Sequence, residues 1–319
     1  MSNRINILCA TDDRYVPWCG IMLTSLLENN QCEVGTIFIM TTGLERDNLS
    51  AFGWLSSHYG VPVKIVPVSQ NDMTDFSVRD DCPITIATWL RLLAPRVLPQ
   101  DVDRILYLDC DIIVNGSLKE LCEMDMEGYA VGVVPDESCH NDEYYQRLEI
   151  PRDSTYFNAG VLLINLKYWR ENDVLNRCLE FIRSSSEKLY LYDQDVLNKV
   201  LCEEKKWMNL AYNLQNGFLW SWHLSYYPRP MQQSILNEMN EPIIIHYSGP
   251  AKPWQKECYH PYVPYFLHFR SISKWKNAPL TGKRTLVDRY KSLRHKVALA
   301  LHMTKPLYLI PQKKWNKKM

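Results

Sequence analysis

Short apolar runs and helix-period stretches take turns through the first 114 residues, and this alternation limits the 319-residue chain to a sheet covered on both faces. Strands are predicted over 5–11, 36–41, 63–68 and 104–114, with helices over 19–28, 45–58 and 84–94 between them. Further strands over 129–134, 161–165 and 242–247, and helices over 174–184 and 193–201, extend the pattern. Runs this apolar suit buried strands of a parallel or mixed sheet. Such a sheet binds ligands beyond the carboxyl ends of its strands, where the strand order reverses. Chemistry is therefore sought just after Thr11 and around Asp109. Aromatic and proline density rises between Phe218 and Trp275, predicting an irregular, loop-rich region packed by Trp and Tyr.

Charge divides the chain in a way its zero net charge hides. Residues 281–319 hold eleven Lys or Arg and one acid, Asp288, leaving 25 basic and 35 acidic residues in the first 280. An acidic body of about −10 thus carries a tail of about +10. Ten cysteines are scattered without a C-x-x-C pair, which fits reduced thiols of a cytosolic protein better than a disulfide framework or a zinc site. The N-terminus reaches Asp12 and Asp13 too soon to hold a signal h-region, and no apolar run approaches the ~18 residues of a membrane span. The expectation is a soluble body, cytoplasmic and not exported by a standard signal.

Acidic residues mark the ends of the predicted strands. Asp109-Cys110-Asp111 lies within the apolar run 104–114; strand alternation would put both carboxylates on one face and Cys110 on the other. Two desolvated carboxylates on one face repel, and a hard divalent cation, Mg²⁺ or Mn²⁺, relieves them; two solvated acids at a strand-end turn are the plain alternative. His246, Gly249 and Lys252 follow the apolar run 242–245 at three-residue steps. They supply a borderline nitrogen ligand, a place for close backbone approach and a point charge for phosphate. Thr11, Asp12 and Asp13 close the first strand, where the acids can either accept hydrogen bonds from a uracil or ribose, or cap a helix. Asn158 precedes a buried strand. Asp193 opens a helix as a simple N-cap or a ligand, Gln194 follows it, and Arg91 stands beside Trp89.

Taken in order, these segments resemble the family 8 retaining glycosyltransferases, which include bacterial lipopolysaccharide galactosyl- and glucosyltransferases and, distantly, the glycogenins. The likeness runs roughly over 5–275 and is carried by Thr11-Asp12-Asp13, by Thr88 to Leu92, by Leu106 to Val114, by Tyr156 to Asn165, by Tyr192 to Asn198 and by His246 to Trp254. Arg14 departs from the Asn often found after the acid pair. The resemblance implies a GT-A-type α/β fold, a single nucleotide-sugar-binding domain over 1–280 with a mixed, mainly parallel sheet. It implies Mn²⁺, with Mg²⁺ as a substitute, held by Asp109, Asp111, His246 and the donor diphosphate. It places Asp12 at the uridine with Thr11 beside it, Gly249 and Lys252 at the diphosphate, and Arg91, Asn158, Asp193 and Gln194 at the sugar. Asp136 falls near the acceptor, so Gln194, Asp193 and Asp136 stand closest to the reacting atoms. The implied reaction moves galactose or glucose from a UDP-hexose donor to a glycan or glycolipid acceptor. Gln194, an uncharged amide, is a poor nucleophile, which favours front-face attack over double displacement.

Within 283–301 apolar residues recur at three- and four-residue steps among basic ones. This predicts a basic amphipathic helix in a C-terminal appendage, 281–319, that associates with an anionic membrane surface at the inner face of the cell membrane. Leu307, Tyr308, Leu309, Ile310 and Trp315 extend that character; packing on the acidic body is the alternative. Nucleic acid lacks a supporting motif. Two other classes compete with the transferase. A metal-dependent nucleotidyltransferase would show a Gly-rich phosphate loop after the first strand, and none follows Thr11. A nucleotide-sugar-binding protein without catalysis would have no need of intact Asp109, Asp111 and His246.

Overall fold

The computed structural model describes residues 4–76, 86–282, 306–309 and 311. The helix expected over 283–301 lies outside the described residues. Among the described residues ten strands fall into two sheets. They are β1 (Ile5–Ala10), β2 (Val34–Thr41), β3 (Val63–Pro67), β4 (Arg104–Leu108), β5 (Ile112–Val114), β6 (Val131–Pro135), β7 (Phe157–Asn165), β8 (Lys205–Trp207), β9 (Leu214–Gln215) and β10 (Ile244–His246). The large sheet runs β3-β2-β1-β4-β7-β6-β8 and the small one β5-β10-β9. In the large sheet β3, β2, β1 and β4 are mutually parallel, β7 is antiparallel to β4 and β6, and β8 is parallel to β6. The sheet is mixed and mainly parallel, as expected.

Period-2 alternation sorts each central strand between two cores. Ile5, Ile7 and Cys9 of β1 face one apolar cluster, and Leu8 and Ala10 face the other. Leu106 and Leu108 of β4 oppose Ile105 and Tyr107, and Val161 and Leu163 of β7 oppose Leu162 and Ile164, in the same way. Helix Val16–Asn30 covers the first face, with Gly20 pressed so closely on Trp275 that a Cβ there would lie 2.3 Å from the indole. Asp12 Oδ1 accepts from Tyr15 N at 3.0 Å at the start of that helix. Asp13 Oδ1 accepts from Glu45 N and Asn48 Nδ2 at 2.8 and 2.7 Å at the start of helix Arg46–Tyr59. The second helix stops at Gly60, whose φ of 65° is the left-handed conformation glycine tolerates.

Three expectations change. The run 104–114 is not one strand: β4 ends at Leu108, β5 begins at Ile112, and the two belong to different sheets, with Asp109, Cys110 and Asp111 forming the turn between them. The stretch expected as an α-helix over 84–94 is described from Ile86, as a 3₁₀ helix through Leu93, followed by a short α turn Ala94–Val97. Pro95 contributes to this, because it has no N–H to give and its ring crowds the carbonyl four residues back. The region expected to be loop-rich between Phe218 and Trp275 holds two helices, Arg229–Glu238 and Val263–Ile272. Each has a proline in its first turn, the position where the missing N–H costs nothing. Part of the basic appendage is described: residues 306–309 lie along 219–221, with Trp220 and Tyr308 paired antiparallel.

Candidate active site

A cavity of about 610 Å³ opens over the carboxyl ends of β1 and β4, where the strand order reverses. The β1 end contributes Ala10, Thr11 and Asp12, and β4 with its turn contributes Tyr107, Asp109, Cys110 and Asp111. Residues after β10 (Ser248, Gly249, Lys252), Arg91 of the 3₁₀ helix, and Asp193 with Gln194 of helix Asp193–Val200 complete the wall.

On the floor, one ligand atom each from Asp109, Asp111 and His246 lies within 4.8 Å of the others. His246 Nε2 is 3.4 Å from Asp111 Oδ1 and 4.0 Å from Asp109 Oδ2. The strand break produces this convergence. Asp109 N still donates to Gly160 O at 2.9 Å, one step beyond the β4–β7 ladder, and Tyr247 N donates to Asp111 O at 3.0 Å beside the β5–β10 ladder. Each acid is thus tied to a different sheet, and the turn between them brings both to the end of β10. Cys110 has its thiol within 3.3 Å of Ala10 O, among the buried thiols Cys9 and Cys19.

The groups behind the floor fix which atoms face the cavity. Asp109 Oδ1 accepts from Arg91 Nη2 at 2.9 Å and from Tyr107 OH at 2.7 Å, so Oδ2 is the oxygen left toward His246. Asn213 Nδ2 donates to Asn158 Oδ1 at 2.9 Å, which makes its Oδ1 the acceptor facing His246 Nδ1 at 2.9 Å. The imidazole therefore keeps a proton on Nδ1, which leaves Nε2 as the nitrogen a cation would take. Gly160 passes beside this group with no room for a side chain: a Cβ would lie 2.3 Å from His246 Cε1 and 2.9 Å from Asp109 Oδ2. Two carboxylate oxygens and one oriented imidazole nitrogen form a donor set that suits a hard or borderline divalent cation.

Electrostatics across the site is set by burial acting against ion pairing. Burial works to raise the Asp111 carboxyl, but Lys252 and His246 outweigh it and hold the group well below its ordinary range. Burial works to lower His246, and the charges of Asp111 and Asp109 outweigh it, so the imidazole is raised. Lys252 Nζ contacts Asp111 Oδ2 at 2.5 Å and Tyr247 O at 2.7 Å. Arg91 is only 4% exposed, packed 4.0 Å over the Tyr107 ring, with Nε 3.0 Å from Asp193 Oδ2 and further hydrogen bonds to Thr88 O and Ala159 O. The donor to Thr88 O is Nε itself, at 3.1 Å, and the donor to Ala159 O is Nη1; a buried guanidinium is tolerable only with such pairing. A surface location, the commoner fate of a single Arg, is thereby excluded. Burial lifts Asp193 to about 6, against the pull of Arg91 and the hydrogen bond from Thr88.

The remaining residues singled out in the sequence fall into two groups. Thr11, Asp12, Asn158, Gln194, Gly249 and Lys252 all line the cavity. Asp136 is not among its lining residues. It stands behind, where Oδ2 accepts from Asn158 Nδ2 at 3.0 Å and Gln194 Nε2 at 3.1 Å, and Oδ1 from Ser138 N at 2.8 Å. Burial raises its carboxyl despite those bonds. Gln194 Oε1 accepts from Ala159 N at 2.9 Å, so both ends of its amide are fixed by the protein.

Sequence reasoning missed Asn213, which orients His246, and Asp195, which shapes the approach to Gln194. Asp195 is fully buried and paired with Arg147 at 2.8 Å. It also accepts from Tyr156 OH and from the backbone N–H groups of Tyr190 and Leu191 at 2.7, 2.7 and 2.8 Å. These bonds hold Tyr192 at φ 48°, ψ −116°, an uncommon conformation for a bulky side chain, immediately before Asp193 and Gln194. The repeated acid in Asp193-Gln194-Asp195 was the available signal for Asp195. Asn213 had none, since it stands 33 residues before its histidine.

A mixed sheet of this order, with a polar cavity at its switch point and an Asp-Asp-His floor, has the GT-A-type fold of glycosyltransferases. The chain belongs to glycosyl transferase family 8, whose model matches residues 6–258. Similar proteins include the general stress protein A of Bacillus subtilis, 28% identical over 276 residues, which cover 85% of this chain and 94% of the relative. A lipopolysaccharide 1,2-glucosyltransferase of Escherichia coli is 27% identical over 298 residues, covering 90% and 85%. A lipopolysaccharide 1,3-galactosyltransferase of Salmonella typhimurium is 25% identical over 292 residues, covering 89% and 83%. Among solved structures, the galactosyltransferase LgtC in complex with donor and acceptor sugar analogs superposes with a TM-score of 0.76 at 26% identity, over 90% of this chain and all of that one.

Proposed function

We propose that this glycosyltransferase moves galactose or glucose from a UDP-sugar to a glycan acceptor, with retention at the anomeric carbon, in the synthesis of lipopolysaccharide or another surface glycan. The observation that carries the reading is the Asp109-Asp111-His246 group on the cavity floor, with Lys252 beside it. Two similar proteins named for glucosyl and galactosyl transfer to lipopolysaccharide support the acceptor class. A Mn²⁺ held by Asp109, Asp111 and His246, with Mg²⁺ as a substitute, supplies Lewis-acid neutralisation of the diphosphate leaving group.

The chain's own residues do the rest. Lys252, its Nζ seated on Asp111 Oδ2 and Tyr247 O, offers a cation to the diphosphate from the Gly249 side. Asp12 and Thr11 line the end of the cavity next to Tyr15, where the uridine is placed. Asp193 and Arg91 neutralise each other at the wall assigned to the sugar, and Asn158 and Gln194 stand there on a scaffold anchored by Asp136. Gln194, uncharged and bonded at both ends, is a positioning group rather than a nucleophile, which favours attack by the acceptor hydroxyl on the face the diphosphate leaves. The basic appendage 281–319 is assigned to an anionic membrane surface on the cytoplasmic side.

A panel of UDP-sugars assayed for Mn²⁺-dependent UDP release tests the reading. One hexose donor is expected to be turned over and Asp109→Ala to be inactive. Full activity in that variant refutes the metal assignment. Unchanged liposome binding after deletion of 282–319 refutes the membrane role.

A further inference from the structure

Residues 306–309 do more than continue the appendage. Leu309 N donates to Leu219 O at 2.6 Å, Ser221 N to Leu307 O at 3.1 Å, and Ser221 Oγ to Pro306 O at 2.5 Å. This short stretch forms an isolated antiparallel bridge with 219–221. Tyr308 and Leu309 pack against the main apolar core, while Leu307 is 42% exposed.

Tyr308 reaches toward the cavity by two routes. On one, Tyr308 is bridged to Trp220, and Leu219 N beside it donates to Asn216 O at 3.1 Å. Asn216 N donates to Ser248 Oγ at 3.1 Å, and its amide fills the space beside Gly249, where a Cβ would meet Asn216 Nδ2 at 2.4 Å. Ser248 and Gly249 line the cavity. On the other route, the Tyr308 ring meets His260 edge-on at 5.6 Å, and His260 packs on Tyr247 at 4.7 Å. Tyr247 in turn follows His246 and donates its backbone N–H to Asp111 O.

We propose that 306–309 is a built-in buttress of the donor cavity, and that Tyr308 is a positioning residue that sets the turn at Ser248 and Gly249. The proposal rests on the reading of that cavity as a UDP-sugar site. Such a buttress has a cost and a benefit that a membrane tether lacks. Pinning the turn through packed side chains removes conformations it would otherwise sample, so the diphosphate meets backbone already in place. A tether changes where the enzyme is; a buttress changes how tightly it holds its donor in plain solution.

The test uses the purified full chain, without lipid or detergent, and UDP release from UDP-galactose and UDP-glucose with Mn²⁺. Tyr308→Ala is expected to raise the donor KM by about three- to tenfold with kcat within about twofold, inside the range by which packed residues alter a site they do not touch. Tyr308→Phe, which keeps the ring packing, is expected to recover most of the loss. A Tyr308→Ala chain with unchanged donor KM overturns the buttress. So does an equal loss of KM, kcat and melting temperature in both variants, which marks general destabilisation. If Tyr308→Ala does not fold, Tyr308→Leu carries the same test with the same criteria. A parent chain that releases no UDP from either sugar ends the functional reading itself, and this is seen before any variant is compared.

Discussion

Gly160→Ala is a one-carbon change that isolates the cation site from the rest of the fold. The added methyl would lie 2.3 Å from His246 Cε1, 2.9 Å from Asp109 Oδ2 and 3.0 Å from His246 Nδ1, all closer than real Cβ contacts. None of these neighbours yields cheaply. His246 is buried and bonded to Asn213, and Asp109 is tied by Arg91, Tyr107 and its own backbone bond to Gly160. Relief requires the imidazole to swing away, breaking its bond to Asn213 Oδ1, or β7 to shift against β4. Overpacking of this kind costs about 1–3 kcal/mol of stability. Displacing an oriented ligand costs about 10–100-fold in metal affinity. Calorimetric titration with Mn²⁺ and a thermal melt are the assays. Gly53→Ala is the control, because Gly53 sits in helix Arg46–Tyr59 with nothing within 4 Å of its added Cβ, where alanine gains up to about 1 kcal/mol. Gly160→Ala binding Mn²⁺ within about threefold of the parent and melting with the Gly53→Ala control would show that the floor is not packed as described, and the cation assignment would go with it.

Two further outcomes follow from the groups around the floor. Asn213→Ala removes the acceptor that holds the proton on His246 Nδ1, so Mn²⁺ affinity is expected to fall about 10–100-fold, and the buried partners it leaves unpaired lower stability by about 1–3 kcal/mol; titration calorimetry and a thermal melt check it, and unchanged affinity removes Asn213 from the site. His260, wholly buried among Tyr247, Tyr262 and Tyr308, is pushed down to about 3 by burial alone. Its unfolded form takes up a proton near 6.5 and its folded form does not. Its contribution to stability is therefore present above pH 6.5 and lost as pH falls toward 3, on the order of 5 kcal/mol across that window. His260→Phe is expected to flatten the fall in melting temperature between pH 6.5 and 3 relative to the parent, and parallel pH profiles refute the buried neutral histidine.

The parts of the fold that read correctly from sequence are those where one local rule suffices. Strands β1 to β3 and the helices between them follow from apolar runs and periodicity, because each buries a stripe or a face against a layer beside it. Asp12, Asp109, Asp111, His246 and Lys252 line one cavity, and the signal for it in the sequence was apolar runs that give way to polar residues. What failed depended on partners distant in sequence. Nothing between Leu108 and Ile112 announces a break, because a strand that changes sheet stays apolar on both sides of the turn. The break becomes visible only with β10, more than 130 residues on, pairing Ile112 with His246. Arg91 was placed at the sugar only through the resemblance, and its burial could not be read from the residues around it, its two neutralising acids, Asp109 and Asp193, lying 18 and 102 residues away.

That break changes the reason the two acids belong together. On a continuous strand, Asp109 and Asp111 would share a face by alternation, and any strand end would offer the same. Here Asp109 finishes the large sheet, bonded to Gly160 of β7, and Asp111 opens the small one, its carbonyl bonded to Tyr247 after β10. The distance between their carboxylates therefore records how the two sheets sit on one another, and a cation bound between them would hold the sheets as well as the diphosphate. Cation binding is linked to the folded state by mass action, so saturation at a hundredfold above Kd contributes about 2.7 kcal/mol. In this architecture that stabilisation falls on the seam between β4 and β5, the same seam that forms the cavity floor. The geometry of the site thus depends on how the two sheets are seated, which a pair of acids on a single strand would not have required.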